Sequence, residues 1–151
     1  MRKILLALAV AALAAGPVAA SEKTDVMAPV HQWVDGINKG DMKAATAACA
    51  DQTSIIDDFP PHEWHGAGAC SKWANDADAD NKKNGITDES VIFSKPRHID
   101  ITADRAYVVI PATYSYNEKG TLVKEPGSIW TLALKKDEAG WRITGWAWTA
   151  P

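Results

Sequence analysis

The sequence predicts an α+β fold in which three N-terminal helices pack on an antiparallel sheet. Three observations carry this prediction. Helical spacing of apolar residues dominates up to Gly85, five strand-like segments follow from Ile86 to Trp148, and each gap between those segments holds a turn signal. Helices gathered in one half of a chain and a strand meander in the other cannot build alternating βαβ units.

From Asp25 onward, Val26, Val30, Trp33 and Ile37 recur every three or four positions, which places them on one helix face turned toward a core. Asn38-Lys39-Gly40 ends that helix. Asp41 caps a second, shorter helix in which Met42, Ala45 and Cys49 share a face. Thr53 to Asp58 reads as a strand centred on Ile55 and Ile56, and Phe59-Pro60-Pro61 ends it because proline cannot donate to a ladder. A loop holding His62, Trp64 and His65 leads to a third helix from Gly66 to Asn81, with Cys70, Trp73, Ala74 and Ala77 on one stripe, and Asn84-Gly85 closes it. The strands Ile86 to Phe93, Arg97 to Thr102, Arg105 to Tyr116, Ser128 to Lys136 and Trp141 to Trp148 complete the chain. Turns fall at Lys95-Pro96, Ala103-Asp104, Asn117 to Gly127 and Asp137 to Gly140. There is no internal repeat and no low-complexity tract.

The first twenty residues have the three zones of a secretory signal peptide: basic Arg2 and Lys3, an apolar run from Ile4 to Ala15, then Gly16-Pro17 before the small triplet Val18-Ala19-Ala20. Cleavage after Ala20 leaves a single domain, residues 21 to 151, in the periplasm or outside the cell. Without Arg2 and Lys3 the balance is 14 basic against 19 acidic side chains, a net charge of −5. An acidic chain without a Lys/Arg cluster is not built for nucleic acid or an anionic membrane surface. It points instead to a small molecule or a protein partner. In an oxidising compartment the only two cysteines, Cys49 and Cys70, are expected to form a disulfide, with two buried thiols on adjacent helices as the alternative. Neither has the spacing of a redox or zinc motif, so no metal and no cofactor is expected.

The run Val-His-Gln-Trp-Val-Asp-Gly-Ile-Asn-Lys-Gly-Asp-Met from Val30, followed by Cys-Ala-Asp-Gln-Thr-Ser-Ile-Ile-Asp-Asp up to Asp58, resembles the opening of nuclear-transport-factor-2-like (NTF2-like) proteins. Asn38, Gly40, Asp41, Ala50, Asp51 and Asp57 match its pattern of helix, Asn-x-Gly-Asp, second helix, Ala-Asp-Asp and a strand ending in an acidic residue. Gly-Trp-Arg-Ile-Thr, residues 140 to 144, is similar to the last strand of the same families, which include SnoaL-type cyclases and ketosteroid isomerases. The resemblance implies a cone-shaped half-barrel, a curved sheet and helices enclosing one apolar pocket, and commonly a homodimer formed through the outer face of the sheet. Against ketosteroid isomerase the match is gapless from Val30 to Asp57 and puts Asp57 at the general base. The two oxyanion-hole positions fall on Trp33 and near Trp130, whose indole N–H groups are donors but far less acidic than the phenol and the carboxylic acid they replace. Steroid isomerisation is therefore not what this pattern supports.

Several residues then compete for a functional role. Alternation sends Asp57 and Asp58 to opposite faces, so one carboxylate is expected inside the pocket, where lost hydration would raise its pKa toward neutral and suit it to proton transfer. The bland alternative is a strand end bonded to loop amides. His62 lies in the following loop, within reach of Asp57, and is a candidate partner at the mouth of the cone, although an exposed loop histidine needs no function. Trp33, Trp64 and Trp130 are expected to shape the cavity, with plain core packing as the alternative. Trp146 and Trp148 share a face of the last strand, either lining the pocket or forming a dimer interface. The chain is thus expected to bind a small apolar or aromatic molecule, with isomerase, cyclase or dehydratase chemistry at Asp57, or to be a non-catalytic binding or dimerising module.

Overall fold

The computed structural model describes residues 17–151. Of the leader predicted over residues 1 to 20, residues 1–16 lie outside the described residues. Helix α1, Pro17–Asn38, buries Val26, Val30 and Trp33, as the apolar spacing predicts, and Val34 beside them, while Ile37 of the predicted face is half-buried. It begins at Pro17 rather than Asp25. The mostly exposed Ser21 to Thr24 continue the helix without carrying any apolar period. Gly36 faces the second helix so closely that a Cβ there would meet the Ala45 backbone at 2.6 Å, so only glycine allows this packing.

Helix α2, Met42–Thr46, is capped by Asp41, whose carboxylate accepts the Ala44 N–H at 2.9 Å. It is shorter than predicted. Cys49, expected on its face, instead opens strand β1, Cys49–Ile56, because it pairs with Ile143 of the last strand. Tertiary pairing there overrides the helical propensity of an alanine-rich stretch.

A second correction falls on the stretch predicted as loop and helix start. Residues Glu63–Ala67 form strand β2, antiparallel to β1, with Ile55 opposite Trp64 and Ile56 opposite Glu63. Helix α3 therefore starts at Ala69, after Gly68 in the left-handed region, and runs to Asn84. The strands β3, Ile86–Phe93, β4, His98–Thr102, β5, Arg105–Glu118, β6, Thr121–Asp137, and β7, Gly140–Thr149, follow. Strand β6 begins well before the predicted Ser128. Pro126 and Gly127 mark a bulge inside a long hairpin rather than a turn, since Thr113 pairs with Pro126, Ala112 pairs with Ser128, and Gly127 takes up the extra residue at φ +96°.

The seven strands form one sheet in the order β2-β1-β7-β6-β5-β3, with β4 also paired to β5. All pairings are antiparallel except that of β1 with β7. Register shifts in four of the pairs bend the sheet, and α1 and α3 pack into its concavity. Asn38 fastens α1 to β3, donating to the Val91 carbonyl at 2.9 Å and accepting the Val91 N–H at 2.7 Å.

Cys49 and Cys70 are joined in a disulfide that links the first residue of β1 to the first turn of α3. Closing a loop of 21 residues should stabilise the fold by about 3 kcal/mol through the unfolded chain. A Cys49→Ala/Cys70→Ala variant should lose about that much in urea denaturation. It should also become insensitive to reductant, whereas the wild-type protein should weaken when reduced.

Candidate functional site

Between the helices and the concave face of the sheet lies a cavity of about 410 Å3. Trp33 and Ile37 of α1, Met42 of α2, Trp73, Ala74 and Ala77 of α3, and Trp146 and Trp148 of β7 give it an apolar wall. Tyr114 and Tyr116 of β5 line it together with Glu89 of β3 and Glu125 of β6. The volume suits a small organic ligand.

Asp57 and Asp58 lie just past the end of β1, in the turn of the β1-β2 hairpin, so strand alternation does not divide them and both line this cavity, contrary to the expectation that only one would; Asp57 is the buried one. Its backbone is fixed by the ladder, since its N–H donates to the His62 carbonyl at 3.0 Å. The residue is only 9% exposed. Oδ1 accepts the Asp58 N–H at 2.8 Å, and Oδ2 accepts the indole N–H of Trp73 at 2.7 Å. Loss of hydration pushes the carboxyl from its ordinary 3.8 up to about 7, and the nearby charge of Asp58 adds to this. The two hydrogen bonds favour the ionised form and oppose the shift, but they do not outweigh burial. The result is a carboxyl group able to hold or release a proton at neutral pH.

On the β-strand wall, Glu89 accepts hydrogen bonds from the Tyr114 hydroxyl at 2.5 Å and the Asn81 amide at 2.7 Å. Burial, followed by the charge of Glu89, raises the Tyr114 pKa, so its hydroxyl stays protonated. The Tyr116 hydroxyl donates to Glu125 at 3.0 Å.

The predicted site residues divide. Asp57 and Trp33 both line the cavity. His62 does not: it is exposed, and its Nδ1 faces the Asp57 backbone carbonyl at 3.2 Å rather than the carboxylate. Trp64 and Trp130 lie behind the wall instead of in it. Trp64 packs on Phe59 with ring centroids 5.0 Å apart and donates to Asp76 at 2.8 Å. Trp130 is fully buried, 4.4 Å from Trp33 and stacked on Phe93 at 5.4 Å. The indole nitrogens of Trp33 and Trp130 are sealed from solvent without an acceptor, so neither presents an oxyanion-hole donor to the cavity.

Sequence reasoning treated Trp73 as core and missed it as the partner of Asp57. Nothing local to its helix stripe reports what lies opposite. The question left open for Trp146 and Trp148 resolves to the concave face. Among the described residues, no group of three His, Cys, Asp or Glu side chains is arranged to hold a metal ion.

A half-open cone of this topology, with helices laid in a bent sheet around one pocket, is the NTF2-like fold. Solved structures agree: an NTF2-like superfamily protein from Salmonella enterica aligns at a TM-score of 0.71 and 15% identity, over 88% of this chain and 93% of that one. A ketosteroid isomerase-like protein from Erwinia carotovora aligns at 0.67 and 15% identity, covering 85% and 95%. A hexachlorocyclohexane dehydrochlorinase from Novosphingobium barchaimii aligns at 0.69 and 10% identity, covering 88% and 86%. No family model matches the sequence, and no curated protein does.

The raised Asp57 pKa has a sign that can be checked on stability. Between pH 3.8 and about 7 the unfolded chain releases the Asp57 proton while the folded chain keeps it, so stability falls as pH rises through this window. The contribution present at low pH, up to about 4 kcal/mol, is gone above the folded value. An Asp57→Asn variant should match wild type in urea denaturation near pH 4 and exceed its stability at pH 8. Parallel pH profiles for the two proteins would remove the buried carboxyl from the account.

Proposed function

We propose that this chain is an exported small-molecule protein whose cavity binds an apolar or aromatic molecule and whose Asp57 transfers a proton on it. The observation that carries the reading is a carboxyl at the cavity wall whose burial lifts it to about 7. A group poised there takes a proton from a bound ligand when ionised, the step shared by isomerisation, which returns the proton at another atom, and elimination, in which the electron pair left behind expels a leaving group. Trp73 orients it by holding Oδ2. The Tyr114 and Tyr116 hydroxyls on the β-strand wall already donate to Glu89 and Glu125, so each offers a ligand its oxygen as an acceptor. Occurrence of the same fold in proteins named as a dehydrochlorinase and as ketosteroid isomerase-like supports small-molecule chemistry. The disulfide supports an oxidising compartment.

A second reading has its own support. The sealed nitrogens of Trp33 and Trp130 leave a developing oxyanion without the donors that the resemblance placed there, which favours a binding module without turnover.

The occupant can be identified by mass spectrometry after native purification, and its conversion followed. Catalysis predicts kcat/KM rising to a plateau above about pH 7. An Asp57→Asn variant should then lose on the order of 10^2 to 10^4 in kcat. Unchanged turnover in that variant would rule the proton-transfer role out, and an unaltered occupant would favour the binding module.

A further inference from the structure

We infer that the cavity takes an organic cation, an amine or quaternary ammonium group carried on an apolar or aromatic body. The inference deepens the proposed function by naming a ligand class and rests on that reading only in taking this cavity as the ligand site.

The observation is the distribution of charge. The whole chain is nearly balanced, with 16 basic and 19 acidic side chains. Yet six of the acidic ones, Asp57, Asp58, Asp78, Asp80, Glu89 and Glu125, line one cavity, and no lysine, arginine or histidine lines it. Of these six, only Asp78 has an ion-pair partner among the described residues, the exposed Lys82 at 2.6 Å. The hydrogen bonds that Glu89 and Glu125 accept come from neutral tyrosine and asparagine groups, which fix the carboxylates in place without cancelling their charge. A concave surface with apolar walls and one sign of charge concentrates the opposite sign.

The rest of the lining selects among cations. Seven aromatic residues, four of them tryptophans, line the same space. A small hydrated metal ion gains little from such a surface, whereas an alkylammonium group is weakly hydrated and is attracted to aromatic faces. An anionic ligand would meet the carboxylates without a single basic partner. A neutral ligand would leave the charge uncompensated.

The test uses intrinsic tryptophan fluorescence of the full mature protein titrated with four probes: choline, its neutral isostere 3,3-dimethylbutan-1-ol, benzyltrimethylammonium and benzoate. The two cations should bind at least about tenfold more tightly than the neutral isostere and the anion, with an advantage that shrinks as salt is raised. Glu89→Gln and Glu125→Gln, which keep side-chain shape, should each weaken the cations by about threefold or more while leaving the neutral probe unchanged. Glu125→Lys should narrow or reverse the preference for benzyltrimethylammonium over benzoate. Equal binding of choline and its isostere, or tighter binding of benzoate, would overturn this inference while the cavity remained a ligand site. Failure of all four probes to bind at about 10 mM would overturn both the inference and the ligand-binding reading.

Discussion

The hydrogen bond from the Trp73 indole to the Asp57 carboxylate joins α3 to the end of β1, and much of the molecule is arranged around it. It holds one carboxylate oxygen in place while the Asp58 amide holds the other. The same packing that brings Trp73 to Asp57 also strips water from the carboxyl, and the energetic contest falls to desolvation. A half-neutral buried acid costs stability at physiological pH, which a plain strand end would avoid. The disulfide ties α3 to the first residue of β1, so the N-terminal part of α3, through Cys70 and Trp73, is anchored at both ends of that strand. The acid therefore sits on a rigid frame, not on a free loop.

The aromatic cluster explains why such a frame leaves room for a ligand. Trp33, Trp73, Trp130 and Trp146 come from two helices and two strands, yet their rings contact one another at centroid distances from 4.4 to 5.9 Å. The helices meet the sheet through these indoles, and rigid rings at tilted and edge-on angles hold them apart. Trp130 serves this packing from behind, stacked on Phe93, while Trp33, Trp73 and Trp146 show part of their surface to the cavity. A hollow lined by aromatic surface and rimmed by carboxylates results. Its chemistry differs from that of a plain greasy pocket.

Much of the architecture was legible because periodicity reports burial. Val26, Val30 and Trp33 announced the core face of α1, and the turn signals between the strand-like segments placed β3, β5 and β7 close to where they lie. What escaped depended on partners distant in sequence. Strand β2 is recognisable only from its pairing with β1, since Glu63-Trp64-His65-Gly66-Ala67 is short and polar at alternate positions. Cys49 sits in an alanine-rich stretch that reads as helix until Ile143 pairs with it. Pro126-Gly127 looks like a turn because the residues that make a bulge are also those that make turns. For the site, Asp57 as a cavity residue was legible from the resemblance that aligns it with an isomerase base and from its place at the end of an apolar strand. Trp73 as its donor, and the convergence of Glu89 and Glu125 from separate strands, were not, because no local pattern encodes which side chains a bent sheet brings together.

The proton-transfer role assigned to Asp57 depends on its carboxyl keeping its proton far above the usual carboxylate range. The most direct measurement is a pH titration of the Asp57 carboxyl carbon by NMR in protein carrying 13C-labelled aspartate, with Asp57→Asn identifying the resonance. The account predicts a midpoint near 7 for this one carboxyl, moving upward or downward when the cavity is occupied. A midpoint near 4, indistinguishable from the exposed aspartates, would contradict it.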